Sequence, residues 1–446
     1  MKLKPVVASL VMLGLMTPAF AKSTLASQQA IVDQNSALSP VCSEGWFNRI
    51  SVGGIGSIVG IAGNHDPAGS FTYLNNGSDL YVNNFNLLVN ANLSSWSKAS
   101  LNLAYLGAPI PWNNMFITKQ KEVGHSTFAY RQIRHTIVAD EAYVTIGDLT
   151  KYPFYAVFGK KYIPFGNYVD PYVPYQIMSP TQALSQTNAV AGIVGVTTNF
   201  GFYANVFAFR GDTYPVGSST GNIRNFGGLV GYYDNLEAFN VPNAHVNVNL
   251  GYIHNLWDSQ VFSPNVEPSW ALGEGSSNWT TKINHPVNSF GKKYEIDPIG
   301  GVSVHGDLAY KAFSMSANFV TAVKKMVDAN YSSQSDSSRF WGADVNAEYA
   351  FKTLEHDSHI GAGVQFSGNG AWFGDNKKGI TDWCRIIPKW RLLGEYKVNL
   401  FKNTELDLVV AHGKSYEFAP STAAQSGDVA GHRNATVGLA RLMVQL

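Results

Sequence analysis

The chain is 446 residues long and carries 32 basic and 31 acidic residues, which gives a formal net charge of +1. This near-neutral balance excludes the strongly basic surface on which nucleic-acid binding depends. Charged residues make up 14% of the chain, below the roughly 25% of soluble domains, whereas aromatic residues reach 13% and glycines number 42. This composition favours a protein wall that faces lipid.

The first 21 residues have the features of a secretory leader. Two lysines precede an apolar run over 6–16, and a small-residue cleavage site ends at Ala21. The run is shorter than the roughly 20 residues that a membrane-spanning helix needs. We therefore expect a signal peptide over 1–21 and a mature chain that begins at Lys22. Loss of the two lysines leaves 30 basic against 31 acidic residues, a net charge of −1.

Residues 22–50 are predicted to form an N-terminal extension. The segment is polar, rich in Ser, Gln and Asn, and has no sustained periodicity. We expect it on the periplasmic side or inside the lumen of the structure predicted for the rest of the chain.

From residue 51 onward, apolar and polar residues alternate with a period of two, which is typical of β-strands with one apolar face. The segment 83–93 alternates apolar residues with asparagines, and 245–252, 343–351 and 389–400 alternate in the same way. In the last of these segments, four charged residues oppose the apolar face: Lys389, Arg391, Glu395 and Lys397.

This alternation predicts sixteen strands, at 51–62, 79–93, 98–106, 136–148, 154–161, 189–198, 202–210, 226–234, 245–255, 300–310, 313–323, 341–351, 359–367, 389–400, 405–412 and 434–446. Long connections are predicted at 63–78, 107–135, 162–188, 211–225, 256–299, 324–340, 368–388 and 413–433, with shorter ones between them. Long external loops that alternate with short periplasmic turns are typical of transmembrane β-barrels.

The predicted fold is therefore an all-β, antiparallel transmembrane barrel over 51–446, in the bacterial outer membrane. An even number of strands lets the first and the last pair, which a membrane requires because hydrocarbon offers no partner to an open sheet edge. The last strand has apolar residues on one face and Arg441 on the other, although it ends in Leu446 and not in an aromatic residue. A secreted β-sandwich is the alternative, but about 400 residues in one series of strands exceed such a domain.

In this barrel the two cysteines would lie on opposite sides of the membrane, because Cys42 precedes the first strand and Cys384 falls in an external loop. We therefore do not expect them to pair, although an exported chain meets an oxidising compartment. Two cysteines exclude a zinc site of tetrahedral cysteine type, and we predict neither a metal site nor a cofactor.

The inward side chains are the first candidate site. The predicted lumen-facing charges are Lys389, Arg391, Glu395, Lys397, Arg441, Asp344 and Glu348, with Asp307 as a further acid. The cations among them could raise the local concentration of an anionic solute. The alternative is an internally paired and solvated wall, and such charge runs are more often solvated faces than sites.

The connection at 256–299 is the second candidate, because it combines aromatic residues with cations. Its candidate ligand contacts are Trp257, Trp270, Trp279, Lys282, Lys292 and Lys293. Aromatic rings and lysines suit a bulky anionic ligand through stacking and charge-assisted hydrogen bonds. The loop would fold inward as a constriction or lie outside as a cap, and the alternative is that its aromatics only pack it onto the rim.

No catalytic residues are predicted. His125-Ser126 lacks an identifiable third partner for nucleophilic catalysis, and the segment 63–66 lacks the other motifs of metallophosphoesterases. An enzyme, here an outer-membrane lipid hydrolase, is therefore a remote alternative.

The stretch 140–210 resembles the LbtU-family siderophore porins of bacterial outer membranes. The residues that carry the resemblance are DEAYVTIGDL from Asp140, YPFYAVFGKKYIPFGNY from Tyr152, SPTQALSQTNAVAGIVGV from Ser179 and GFYANVFAF from Gly201. The Pro-Phe-Gly within the second segment also looks like other porins, including phosphate-selective ones, and closes a strand in a role that we expect to be architectural.

The resemblance implies a sixteen-stranded barrel that takes up a ferric siderophore of polycarboxylate type without an energy-coupled plug. Its partners would be the ferric siderophore and the lipid bilayer. A general or anion-selective, phosphate-type diffusion porin shares every feature seen in the residues themselves. The sequence is also compatible with a homo-oligomer, because strands that face lipid and strands that face another protomer have the same apolar pattern.

Overall fold

The computed structural model describes residues 50–64, 77–106, 136–149, 151–166, 179–198, 200–211, 223–234, 243–259, 298–325, 339–368, 388–414 and 434–445. These residues form sixteen strands: β1 (Ile50–Asn64), β2 (Gly77–Ser94), β3 (Ser97–Leu106), β4 (Thr136–Ile146), β5 (Phe154–Tyr162), β6 (Asn188–Thr197), β7 (Phe202–Phe209), β8 (Asn225–Asp234), β9 (Ala244–Ile253), β10 (Gly301–Tyr310), β11 (Phe313–Ala322), β12 (Trp341–Thr353), β13 (His356–Gly368), β14 (Trp390–Phe401), β15 (Thr404–Lys414) and β16 (Asn434–Gln445). A helix, α1 (Pro180–Ser185), lies between β5 and β6, and a 3-10 helix (Leu256–Asp258) follows β9.

The strands form one closed antiparallel barrel in which each strand pairs with its neighbours in the chain. Closure is made by β1 and β16, whose register runs from Ile55 opposite Gln445 to Asn64 opposite Thr436. The first and last strands therefore satisfy each other's backbone donors and acceptors, as a wall in hydrocarbon requires.

Side-chain burial alternates along each strand and separates an outer from an inner face. The outer face of β9 carries Val248 and Leu250, which are 49% and 50% exposed, while Asn247 and Asn249, which alternate with them along the strand, are each 2% exposed. Apolar side chains that are exposed around a whole wall would be costly in water, so this outer face suits contact with lipid.

The predicted barrel is confirmed. Every predicted strand is present, and the largest boundary difference is three residues, at β13, which begins at 356 where the alternation predicts 359. Tight turns such as Leu354-Glu355, both with positive φ, lie at the end opposite to the long connections. The predicted signal peptide, Cys42, Cys384 and nearly all of the N-terminal extension fall outside the described residues. Within the described ranges, neither helix is long and apolar enough to cross a membrane.

One expectation is wrong. The connection at 162–188 is predicted as an external loop, but its described parts, 163–166 and 179–187, are buried against the inside of the barrel. Periodicity did not reveal this placement because the segment is too short and too irregular to show a period. We refer to these two described parts together as the inserted segment.

Candidate functional site

The inserted segment enters the barrel at the end of β5, where the chain turns inward at Phe165. Its ring is fully buried and lies over two glycines on the inner wall, Gly251 of β9 and Gly301 of β10. A Cβ atom built on those glycines would lie 3.3 and 3.1 Å from ring atoms of Phe165, so the ring fits closely where side chains are missing. Gly166 follows with a φ of +78°, a conformation that disfavours other residues. The Pro-Phe-Gly motif is thus architectural in this structure.

The helix α1 lies inside the barrel with all six of its residues buried. Ser179 caps it by accepting a hydrogen bond from the backbone N–H of Gln182 at 3.1 Å, and Pro180 occupies the first turn, where no N–H partner is needed. The helix contacts β11, β12 and β13, on the far side of the barrel from β5 and β6. The inserted segment therefore spans the lumen and narrows it.

A chain of polar side chains fixes α1 to the opposite wall. The hydroxyl of Thr181 donates to a carboxylate oxygen of Asp344 on β12, and the Asn318 side-chain amide donates to the other oxygen at 2.5 Å. His305 lies 2.5 Å from the Asn318 oxygen through Nδ1 and 2.5 Å from Asp307 through Nε2. Buried polar groups are costly unless they are paired, so this chain of partners holds the helix in one position.

An apolar cluster joins the inserted segment to the inner faces of β4 to β9 and β11. Its members are Tyr143, Leu149, Tyr155, Val157, Ile163, Phe165, Ala183, Leu184, Ala191, Ile193, Tyr203, Phe207, Phe209, Leu229, Ile253, Leu256, Ile299, Val320, Ala322 and Phe340. In this part of the lumen, buried apolar side chains of the wall and of the inserted segment pack together as in a protein core.

The predicted lumen charges lie mainly on β12 to β16, on the inner face. Lys397 is 3.2 Å from Glu395 and 4.0 Å from Glu348, and His359 is 3.6 Å from Glu348. These side chains are nearly fully buried, so the two acids share one lysine and one histidine. The alternation thus placed Glu348, Glu395 and Lys397 on one surface.

Arg441 and Arg391 lie on the same wall. Arg441 of β16 donates to Asp407 and lies 3.5 Å from Glu405, both on β15. Arg391 donates to the Gln365 side chain at 3.0 Å. Lys389 differs from the other predicted residues, because it precedes β14 and its side chain is exposed. The arrangement is one of cations with partners, not a free cationic surface.

Of the predicted ligand-contacting loop, only Trp257 lies in the described residues. It belongs to the 3-10 helix and packs against the apolar cluster. Trp270, Trp279, Lys282, Lys292 and Lys293 lie outside the described ranges, as does His125-Ser126. Within the described ranges, no group of three or more metal-ligating side chains comes together.

Sequence reasoning missed the residues that narrow the lumen, chiefly Thr181 and its neighbours in α1. A local signal existed, because Ser179-Pro180 is a typical helix start with a capping side chain and a first-turn proline. Nothing in the segment itself indicated that the helix would be buried.

The chain is similar in sequence to two UPF0422 proteins and in structure to a solved outer membrane channel. The chain is 26% identical over 284 residues to a UPF0422 protein of Coxiella burnetii, covering 63% of this chain and 52% of that protein. It is 23% identical over 380 residues to a UPF0422 protein of Legionella pneumophila, covering 82% of this chain and 62% of that protein. The chain therefore spans between half and two thirds of the length of these relatives. No family model matches it.

The third similarity is to the outer membrane channel DcaP of Acinetobacter baumannii. The TM-score is 0.51 at 12% sequence identity, over 89% of this chain and 97% of the DcaP chain. At this identity the likeness concerns the fold. The chain has the fold of an outer-membrane channel. Its closed barrel, with an apolar outer face, resides in the bacterial outer membrane.

Proposed function

We propose that this protein is an outer-membrane channel for the uptake of a ferric siderophore. One observation carries the proposal: the stretch that resembles the siderophore porins, 140–210, contains the inserted segment and the strands β5 to β7 that surround it. Residues that narrow a lumen decide which solutes pass. A resemblance that falls on these residues therefore bears on the solute as well as on the barrel.

The geometry supports passage of a solute through the barrel. The barrel is closed, so a solute needs no route through hydrocarbon, and α1 of the inserted segment lies against β11, β12 and β13 of the wall. Transport in this form is passive or gated by the ligand. The rigid attachment of α1 gives the narrow part a fixed shape, which a size-selective channel needs.

In this proposal the candidate ligand contacts keep the roles that the sequence suggested. Arg391, Lys397 and Arg441 tune the field inside the barrel, and Lys389 acts at its external end. The aromatic and basic residues of the connection at 256–299 meet the ligand first. A homo-oligomer is compatible with the barrel and is also part of the proposal.

A diffusion porin without siderophore specificity, general or selective for anions such as phosphate, is the second candidate. The pairing of the lumen charges favours a general porin over an anion-selective one, because Lys397 and Arg441 both have carboxylates within 4.0 Å. A wall whose charges largely cancel admits many small hydrophilic solutes. The name of DcaP, an outer membrane channel, is consistent with both candidates.

Conductance in planar bilayers separates the two candidates. Purified protein should conduct KCl, and ferric siderophores added at micromolar concentration should block that current if they bind in the lumen. Ferrichrome, a neutral trihydroxamate, and ferric dicitrate, an anionic polycarboxylate, serve as probes, with the iron-free compounds as controls. Steady conductance that neither ferric probe alters would favour the general porin. Hydrolysis of lipid by the pure protein would instead support the enzyme alternative.

A growth test examines the same proposal in the cell. A strain that lacks the gene should grow more slowly under iron limitation with a ferric siderophore as the iron source, and the wild-type gene should restore growth. Equal growth of the two strains with every siderophore tried would overturn the siderophore assignment.

A further inference from the structure

Lysines and arginines gather at the external ends of the strands, where the long connections lie. At the described external ends of β7 to β15 they are Arg210, Arg224, Lys324, Lys325, Arg339, Lys389 and Lys414. The one acid at these described ends is Asp258, which is 5% exposed and accepts a hydrogen bond from Asn225 at 2.7 Å. The described external ends of β1 to β4 carry neither lysine nor arginine. The external end is therefore strongly basic over the part from β7 to β15.

The periplasmic end lacks this excess of cations. In its described turns the exposed lysines and acids are Lys151, Lys311, Lys352, Lys402, Glu355 and Asp357. Lys151 lies 2.9 Å from Asp148, and Lys352 lies 3.7 Å from Asp357. Both signs are present at this end and some of the charges pair, so the strongly basic character belongs to the external end.

Four of these cations form one surface over β11 to β15, which we call the external basic patch: Lys324, Lys325, Arg339 and Lys414. The first three are exposed, and Lys414 is partly exposed. The backbone N–H of Ala322 donates to the carbonyl of Phe340 at 2.9 Å, so the end of β11 and the start of β12 are paired beside the patch. From β12 to β15 the patch spans three strand spacings, roughly 14 Å.

Alternation along the strands places Arg339 and Lys414 on the outer face of the barrel. Arg339 precedes Phe340, whose ring is 1% exposed and packs in the apolar cluster inside the barrel. Lys414 lies directly opposite Trp390 of β14, and directly opposed residues share a face. That face is the outer one, because the next residue of β14, Arg391, is 1% exposed on the inner wall. These two cations therefore face the membrane and not the lumen.

An aromatic band lies on the same outer face, beside the external basic patch. It consists of Phe319, Trp341, Phe366 and Trp390, on β11 to β14. The ring centroids of Phe319 and Trp341 are 6.3 Å apart, and Phe366 lies directly opposite Trp390. Aromatic rings on the outer face of a barrel mark the interface between membrane and water. Arg339 lies two residues beyond Trp341, roughly 7 Å along the strand, which puts its charge at the depth of lipid head groups.

We infer that the external basic patch binds the phosphate groups of lipopolysaccharide, with the aromatic band against its acyl chains. Lysine and arginine form charge-assisted hydrogen bonds with phosphate. Lipopolysaccharide has phosphates at both ends of its lipid head group and several acyl chains, so it can cover a surface of this width, whereas a phospholipid carries a single phosphate. The site lies on the outside of the barrel, so the inference does not depend on which solute passes through the lumen.

Binding of fluorescently labelled lipopolysaccharide to the purified barrel in detergent, measured by anisotropy, tests the site. The test variant combines Lys324→Gln, Lys325→Gln and Arg339→Gln. The matched control removes the same charge from the periplasmic end: Lys311→Gln, Lys352→Gln and Lys402→Gln. We expect the test variant to bind at least about tenfold more weakly, because each cation at a lipid surface contributes about fivefold, and the control to change affinity by at most about twofold. Added salt should weaken binding by the wild type more than binding by the test variant, because salt screens exposed charges.

Two further ligands test the chemistry of the partner. Lipid A stripped of its phosphates should bind at least about tenfold more weakly than phosphorylated lipid A, and equal binding of the two would overturn the role of phosphate. Phosphatidylglycerol in the same detergent should bind more weakly than lipopolysaccharide, and equal affinity would overturn the choice of lipid. The folded state of each variant is checked by its heat-dependent mobility on detergent gels. Lys324→Glu with Lys325→Glu, which keeps Arg339, replaces the test variant should that variant fold poorly.

The outcomes separate this inference from the channel proposal. Equal loss of affinity in the test variant and in its control would overturn the position of the site. Loss of ferric dicitrate binding in the test variant, with lipopolysaccharide binding unchanged, would assign the patch to capture of the solute and would also overturn the inference. None of these measurements needs a current. A barrel that binds lipopolysaccharide as expected but does not conduct would therefore contradict the channel function and support the lipid site.

Discussion

Removal of the Thr181 hydroxyl should loosen the helix that narrows the lumen. Thr181→Val keeps the shape of the side chain and removes a hydroxyl through which α1 donates a hydrogen bond to Asp344. Asp344 is 2% exposed, so water cannot readily replace the lost partner. The carboxylate would keep Asn318 at 2.5 Å and Asn346 at 3.4 Å. We expect the barrel to fold and α1 to leave the wall more often.

The size of this effect can be estimated from the hydrogen bond that Thr181→Val removes, which joins a hydroxyl to a carboxylate. A hydrogen bond to a charged group contributes about 1.5 to 3 kcal/mol, which corresponds to roughly a tenfold to hundredfold change in population. If the docked helix is the narrow state, the variant should show brief current steps above the wild-type level, at a frequency raised by about this factor. The apolar contacts of Leu184 and Ala183 remain, so the docked state should still dominate.

Single-channel recording in planar bilayers measures this effect directly. Thr187→Val is the matched control, because the Thr187 hydroxyl donates to the Ser185 carbonyl within the inserted segment and not to the wall. Asp344→Asn completes a double-mutant cycle with Thr181→Val. Traces of Thr181→Val that match wild type, together with additive effects in the cycle, would show that this hydrogen bond does not hold the helix.

Two further predictions concern the wall. Gly342→Val should displace α1 and raise conductance, because a Cβ at Gly342 would lie 2.9 Å from backbone and side-chain atoms of Pro180. Gly394→Val is the control, since a Cβ built at Gly394 meets nothing within 4 Å. Equal conductance of the two variants would refute the close approach of α1 to Gly342. Arg441→Met should destabilise the barrel by about 3 to 5 kcal/mol, because it leaves buried carboxylates without their cation. Lys352→Met removes an ion pair with Asp357 in which both side chains are exposed, so it should lower the free energy of unfolding by at most about 1 kcal/mol. Equal unfolding temperatures of Arg441→Met and Lys352→Met, measured by the heat-induced shift on detergent gels, would contradict the argument.

The sequence predicted the strands well because a membrane imposes a rule on every position of a barrel wall. An outward residue meets hydrocarbon and an inward residue meets protein or water, so the alternation at 389–400 is sharp enough to place Arg391, Glu395 and Lys397 on one face. Closure follows from the same rule, because an unpaired edge cannot remain in hydrocarbon. These are local and periodic constraints, and a single sequence displays them.

The inserted segment escaped prediction because its burial depends on distant residues. Phe165 finds its place only because Gly251 and Gly301, far along the chain, leave room for the ring. Thr181 finds its partner at Asp344, 163 positions away. No periodicity within the segment reports such contacts, and the candidate constriction was therefore assigned to 256–299, whose aromatic and basic residues are more conspicuous.

One signal in the sequence did point inward, and the structure shows how to interpret it. The strands β2, β9 and β14 alternate between apolar and polar residues, whereas β6 and β7 are largely apolar on both faces, with Asn205 as a polar residue on the inner face of β7. A strand in a barrel wall can be apolar on its inner face at little cost only if protein covers that face. Largely apolar strands therefore mark a part of the wall that protein covers. The converse does not hold, because Asn247 and Asn249 of the alternating strand β9 are each 2% exposed. In this barrel a covered inner wall is built either from apolar side chains, as on β6 and β7, or from hydrogen-bonded amides, as on β9, where Asn247 accepts from the Tyr203 hydroxyl and donates to Asp307.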